Sequence, residues 1–275
     1  LRKMKKIKVV VTGAAGRMGQ TIIKKVLGDK NLRLIGALEV SGHKNIGQDL
    51  GKILRTKKIG IKISENIIDL FAKTDSVIDF TTPNATVEHA KYAAQARIVH
   101  VIGTTGLSNI QSKKIVYASK HATIIKSGNM SLGINLIETL VEQAASKLDT
   151  SFSIQINEEH HKHKIDAPSG TAFMLGSAAA KGKNIKLDKI KKISRVNTKG
   201  KATKDKIVFS SFRKGETIGN HEVIFSSPDE TVSLRHKAND RGIFAAGAVY
   251  AVKWGQGKKP GLFSMVDVLG LLKIQ

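Results

Sequence analysis

The feature that most constrains this chain lies at its start. Ile7–Thr12 is a short apolar run that passes directly into Gly13-Ala14-Ala15-Gly16-Arg17-Met18-Gly19 and then into Ile22, Ile23, Val26 and Leu27. The apolar spacing of the last four is helical. Strand, glycine turn and helix in that order commit a chain to a βα unit whose turn lets the backbone approach a bound group. The new helix points its unpaired amides at the same place, which suits a diphosphate. A second strand, Leu32–Leu38, ends at Glu39, where a carboxylate can accept from the hydroxyls of an adenosine ribose. The spacing is Gly-x-x-Gly-x-x-Gly rather than Gly-x-Gly-x-x-Gly, so the strand, the helix and Glu39 carry as much of the reading as the glycines. Dinucleotide binding is the expectation.

The alternation continues. Ile59–Ile63 reads as a strand, Ile67–Ala72 as a short helix and Ser76–Phe80 as a buried strand. Thr82 then caps a helix with Pro83 at its first position. Ile98–Ile102 is a further strand, and Ser108 with Gln111 forms a capping box for the next helix. Thr123–Lys126 returns to strand. This predicts a doubly wound, mainly parallel sheet, with the ligand beyond the carboxyl ends of its strands.

After a helix over Ile134–Leu148 the pattern changes. A strand at Phe152–Ile156 leads into Glu158-Glu159-His160-His161-Lys162-His163-Lys164-Ile165-Asp166-Ala167-Pro168-Ser169-Gly170-Thr171. Pro168 blocks helix before it, and Ser169 can cap one that begins at Gly170. The Gly170 and Thr171 amides then make an anion seat. Proton donors, a cation and a carboxylate seat in one short run suit a small anionic substrate that must be protonated. A zinc site is the rival reading of three close histidines. It is disfavoured, because there is no cysteine and two lysines crowd the cluster, so no metal is expected. Three strand-like segments follow, at Lys206–Phe212, Glu216–Ser226 and Asp229–Ala238, and suggest an antiparallel or mixed sheet. Lys181–Lys206, with eleven Lys or Arg and two Asp, reads as a mobile surface excursion. Arg241 opens an Ala-rich helix to Trp254, and Leu262–Leu272 is apolar enough to need burial.

Composition narrows the partners. A formal charge of +24 favours anions such as nucleotides and dicarboxylates. The lysines scatter rather than forming a stripe, and three Tyr and one Trp leave little for base stacking, which argues against nucleic acid. No apolar run approaches the ~18 residues of a membrane span, and no apolar signal core follows the N-terminus, so the expected location is cytoplasmic. Leu1-Arg2-Lys3 precede a plausible start at Met4.

The run Glu159-His160-His161-Lys162-His163-Lys164 followed by Asp166-Ala167-Pro168-Ser169-Gly170-Thr171-Ala172 resembles the signature of the 4-hydroxy-tetrahydrodipicolinate (dihydrodipicolinate) reductases, and the resemblance extends over nearly the whole chain. It implies an α/β protein: a Rossmann-type doubly wound parallel sheet plus a smaller α+β substrate and oligomerisation domain. The implied division is 1–129 for the nucleotide domain, 130–239 for the substrate domain and 240–275 for a return to the first. It also implies a homotetramer and NAD(P)H-dependent reduction of a cyclic imine dicarboxylate, with water lost, in diaminopimelate and lysine biosynthesis. By resemblance, His160 and Lys164 are the paired proton donors, and His161, Gly170 and Thr171 hold the substrate carboxylate. Gly13, Ala14, Ala15, Gly16, Arg17 and Met18 resemble the cofactor turn, Gly103-Thr104-Thr105 the nicotinamide-side loop, and Ser127-Gly128-Asn129-Met130 the inter-domain crossover. Relatives that use NADPH well carry arginine just after the ribose glutamate and in the loop after the fourth strand. Here those places hold Val40 and Thr82, so NADH is the expected preference, with NADPH possible. Aspartate-semialdehyde-type dehydrogenases share the N-terminal pattern but act through a cysteine, which this chain lacks.

Overall fold

A computed structural model describes residues 5–271. The expected start at Met4, with the three residues before it, lies outside them. The described chain divides into two compact units: residues 5–130 together with Gly242–Val268, and Ser131–Arg241 together with residues 269–271.

In chain order the first unit begins with β1 (Ile7–Thr12), α1 (Arg17–Leu27), β2 (Leu32–Leu38), α2 (Leu50–Leu54), β3 (Ile63–Ser64) and α3 (Ile67–Phe71). It continues with β4 (Ser76–Asp79), α4 (Pro83–Ala96), β5 (Val99–Ile102), α5 (Asn109–Ala118) and β6 (Thr123–Lys126). The second unit holds α6 (Leu132–Lys147), β7 (Ser153–His160), α7 (Gly170–Gly182), α8 (Leu187–Ile190), β8 (Lys191–Ile193), β9 (Ile207–Arg213), β10 (Gly219–Ser226) and β11 (Thr231–Ala238). The chain then re-enters the first unit with α9 (Gly242–Gly255), β12 (Gly261–Phe263) and α10 (Met265–Val268).

The first sheet has seven strands in the order β12-β6-β5-β4-β1-β2-β3, and every pairing is parallel. Helices cover both faces of such a sheet, so its strands read as continuous apolar runs, and Val9, Val10 and Val11 are fully buried. The caps read from sequence form as expected. Thr82 accepts from the Ala85 amide with Pro83 at the helix start, and Ser108 and Gln111 complete a capping box. The expected strand over Ile59–Ile63 shortens to Ile63–Ser64, because Asp49 takes the amides of Ile59 and Gly60 and holds that segment as a loop.

The second sheet is mixed, in the order β11-β10-β7-β9-β8. The β7–β10 and β10–β11 pairs are antiparallel, whereas β7–β9 and β8–β9 are parallel. One face packs on α6 and α7, through Ile154, Ile156, Phe209, Val223 and Phe225 against Val141, Leu175 and Ala179. The basic segment Lys181–Lys206 departs from its expected character as a plain surface excursion. It contributes α8 and the edge strand β8, and Gly200 is pinned by Ser210 Oγ and by the Gln155 side chain. All three β8 residues are exposed, so no apolar alternation announces the strand. Lysine suits an edge that must not recruit further strands. Among the described residues no helix is long and apolar enough to cross a membrane.

The turn after β6 is held by the returning helix. A Cβ built at Gly247 of α9 would lie 1.7 Å from the Met130 carbonyl oxygen, so only glycine allows that approach. Gly247→Ala is therefore expected to destabilise the first unit by about 1–3 kcal/mol, despite the ~1 kcal/mol that alanine gains in a helix. Thermal unfolding checks this, and an unchanged or raised midpoint contradicts it.

Candidate active site

In the first unit the glycine turn is a close-packed object. Gly13 adopts a φ of +62°, which glycine tolerates without strain, and its carbonyl accepts from the Gly16 amide at 3.0 Å. A Cβ at Gly19 would come within 2.1 Å of the Gly13 carbonyl oxygen, so the start of α1 lies directly against the turn. Ala14 is buried and donates to Leu38 O; Ala15 donates its amide to Glu39 Oε1 at 2.8 Å. The acidic residue at the end of β2 is thus tied to the turn itself. A cavity of about 770 Å³ opens here, lined among others by Gly13, Ala15, Gly16, Glu39, Val40 and His43. Turn, helix start and cavity fit a dinucleotide, with Arg17 exposed at the mouth of the helix and Met18 half-buried behind it.

A buried polar network sits beneath the far wall of this cavity. Asp79, at the end of β4, is fully buried and takes Nδ1 of His89 at 2.8 Å and Nε2 of His100 at 3.2 Å. Burial opposes the Asp79 charge, but the hydrogen bonds from His100 and His89 prevail and hold its pKa well below the usual carboxylate range. Burial keeps His100 on the neutral side. The other carboxylate oxygen accepts from Thr81 Oγ1 at 2.6 Å. Thr104 Oγ1 in turn accepts from the Thr81 amide and the Thr86 hydroxyl. The loops after β4 and β5 are thereby fixed to each other. Gly103 presses on the Phe80 ring, where a Cβ would lie 2.3 Å from it, while Thr105 is exposed. The loop after β6 folds on itself through Ser127 Oγ and Asn129, with Gly128 between them and Met130 buried behind.

In the second unit the sequence reading needs a correction. The polar run does not lie wholly on a connection, because β7 runs on to His160. Its residues alternate in burial, and Ile154, Ile156, Glu158 and His160 share the inward face. Two ionisable side chains can follow two isoleucines inward because the neighbouring strands neutralise them. Glu158 lies opposite Ser211 of β9 and His221 of β10, and His160 lies opposite Arg213. Glu158 Oε2 meets His160 Nδ1, and Glu158 Oε1 accepts from Arg213 at 2.9 Å. Burial disfavours the Glu158 charge, yet hydrogen bonds from His160 and Arg213 outweigh it and bring its pKa to about 2. His221 stacks edge-on to His160, ring centroids 5.0 Å apart, and burial with the adjacent His160 charge lowers its pKa to about 3. It is therefore a neutral imidazole, and its Nε2 meets Ser169 Oγ at 3.1 Å.

The loop from His161 to Pro168 hangs from this buried layer. Arg213 donates to Lys164 O at 3.2 Å and to Asp166 O at 2.7 Å; Lys162 donates to Gly215 O, and Lys214 to His160 O. Lys164 Nζ is held by both Asp166 oxygens, at 2.7 and 2.8 Å. His161 lies beside His163, and its pKa is lowered by burial and by the charges of Arg241 and His160. The expected cap forms: Ser169 Oγ accepts from the Ala172 amide, and α7 starts at an exposed Gly170 followed by Thr171. His160, Lys164, His161, Gly170 and Thr171 thus belong to one strand end, one loop and one helix start. The sequence reading missed Glu158, Arg213 and His221, and also Asp79 with its two histidines. The period-2 positions that Glu158 shares with Ile154 and Ile156 were the available signal for the first of these. Glu158, His160 and His221 have ligand atoms within 4.8 Å of one another, a spacing a metal ion could use. Both Glu158 oxygens are already engaged, however, one of them by a guanidinium that a cation would have to displace.

Residues 7–130 match the family described as dihydrodipicolinate reductase, N-terminus, and residues 133–269 match dihydrodipicolinate reductase, C-terminus. The 4-hydroxy-tetrahydrodipicolinate reductase of Chelativorans sp. (strain BNC1) is 52% identical over 264 residues, covering 95% of each chain. That of Ruegeria pomeroyi is 48% identical over 263 residues, covering 96% of this chain and 98% of its own. Among solved structures, the dipicolinate-bound dihydrodipicolinate reductase of Paenisporosarcina sp. TG-14 superposes with a TM-score of 0.76 at 25% identity, covering 97% of this chain and all of its own. An amine dehydrogenase of Mycobacterium smegmatis shares the fold, with a TM-score of 0.65 at 14% identity, covering 98% of this chain and 97% of its own. On matches that run almost end to end, in both sequence and fold, this chain belongs to the dihydrodipicolinate reductase family.

Proposed function

We propose that this protein reduces 4-hydroxy-tetrahydrodipicolinate to tetrahydrodipicolinate with loss of water, using NAD(P)H, in diaminopimelate and lysine biosynthesis. One observation carries the site assignment: His160, the Lys164 loop and the capped start of α7 hang from a single buried layer of the second unit. Bound NAD(P)H supplies the hydride. His160 and Lys164 supply the proton that neutralises the charge built up when hydride adds to the ring, since each can present an N–H to a small ligand. Lys164 reaches that role by leaving Asp166, an ion pair with an exposed partner that water readily replaces. His161, Gly170 and Thr171 receive a substrate carboxylate at the helix start, where backbone amides and dipole favour an anion. In the first unit Gly13 to Met18 seat the diphosphate, Glu39 the ribose, and Gly103 to Thr105 with Ser127 to Met130 border the nicotinamide. Association into a homotetramer and a cytoplasmic location belong to the same reading. The support for both is family membership.

The reading is tested by following NAD(P)H oxidation with substrate generated in place by the preceding synthase. Wild-type protein is expected to turn over, whereas His160→Gln and Lys164→Ala each lose roughly 10²–10⁴-fold in kcat with the fold intact. Near-wild-type turnover in both variants removes them as proton donors.

NADH is the preferred nucleotide in this proposal. Glu39 lines the cavity with its carboxylate already bonded to the turn, so a 2′-phosphate there would meet like charge. Val40 is 71% exposed and offers no cation, and Thr82 is used as the α4 cap. His43 lines the cavity, but Lys44 is not among its walls. The expected kcat/KM is higher for NADH by a modest factor at fixed ionic strength, and Val40→Arg should move the ratio toward NADPH. A clear wild-type preference for NADPH refutes this.

A further inference from the structure

His160 has two ring nitrogens, and the structure treats them differently. Nδ1 faces inward to the Glu158 carboxylate. Nε2 faces Gly219 of β10, where a Cβ would lie only 3.0 Å from it and 3.4 Å from Cδ2. Any side chain at this position would press on that nitrogen, and glycine occupies it. A carboxylate on Nδ1 fixes the tautomer in which Nε2 is the nitrogen that can take up and release a proton. Glu158 is itself secured by Arg213, whose side chain is 8% exposed and whose guanidinium also holds the carbonyls of Lys164 and Asp166. One buried ion pair therefore orients the imidazole and suspends the loop carrying Lys164.

Resting on the assignment of His160 as proton donor, we propose that Glu158 and Arg213 are a positioning pair for the reduction. Glu158 aligns His160 and stabilises its imidazolium, and Arg213 couples that alignment to the placement of Lys164. Neither touches substrate. The proton leaves Nε2 for the substrate and the ring stays protonated on Nδ1. Glu158 remains a carboxylate throughout, as its low pKa requires. The charged and titratable groups facing His160 are Glu158 on its own strand, Arg213 from β9, His221 from β10, and His161 and Lys164 from the loop, the last offset by Asp166. His221 is neutral, so Glu158 is the anion that acts on the ring directly.

The test is the pH dependence of kcat, measured for wild type, Glu158→Gln, His160→Gln and the double variant. Glu158→Gln removes the anion beside the imidazolium, so the alkaline limb should move to lower pH. Its plateau should fall roughly 10–10³-fold, within the range of a misaligned general acid, with KM changed much less. A variant that was only partly folded would lower the plateau without moving the limb. In the His160→Gln background, Glu158→Gln should cost much less in kcat than it does with His160 present, the remainder being what the Lys164 loop loses. Glu158→Asp retains charge but withdraws it by one methylene, and should give a smaller shift in the same direction; it replaces Glu158→Gln if that protein fails to fold. Should His160→Gln retain activity, the donor assignment itself fails. Should His160→Gln be crippled while the Glu158 variants keep the wild-type limb, or should Glu158→Gln cost as much without His160 as with it, only the positioning pair fails.

Discussion

A carboxylate buried at the end of a strand has to be neutralised where it stands, and in this protein the neutralisation of Glu158 shapes the candidate site. Removing an ion from water costs several kcal/mol, which only close partners of good geometry offset. Glu158 obtains them from two sides: an arginine on β9 and a histidine on its own strand. Each partner then has a second task. Arg213 suspends the loop, and His160 presents its other nitrogen beside Gly219. His221, packed edge-on against His160, holds the serine that caps α7. Such a layer tolerates few substitutions, because breaking a buried pair leaves an uncompensated charge.

The first unit solves a different problem with the same means. Its sheet is parallel, so the strand ends and helix starts gather along one edge, and the glycine turn lies on that edge with amides suited to an anion. The loops after β4 and β5 would be loose there without an anchor. Asp79, buried and bonded to two histidines and a threonine, supplies it by linking Thr81 and Thr104. In both units a buried carboxylate with imidazole partners lies one layer behind residues assigned to ligand contact.

Much of this was legible in the sequence, and the parts that were not have physical reasons. The glycine turn, the parallel alternation and the caps at Thr82, Ser108 and Ser169 are local, so short-range pattern exposes them. The loop signature around His160 is also contiguous. Arg213 lies 55 residues from Glu158, and the two meet only through the parallel pairing of β7 with β9, which no local rule announces. Polar residues on an inward face also defeat a reading that equates inward with apolar: the apolar alternation of β7 ends at Ile156, although the strand runs on to His160. The basic stretch before β9 hid an edge strand because its side chains are solvated and carry no alternation.

The central claim is that Glu158 holds His160 in one tautomer, with Nδ1 protonated and Nε2 left to do chemistry. Long-range ¹⁵N–¹H correlation spectra of the wild-type protein read this directly, with the His160 signals identified by their loss in His160→Gln. The account predicts that above its titration the ring carries its proton on Nδ1, that Nε2 is bare, and that acid adds the second proton at Nε2. A neutral ring protonated on Nε2, with Nδ1 bare beside the Glu158 carboxylate, contradicts it.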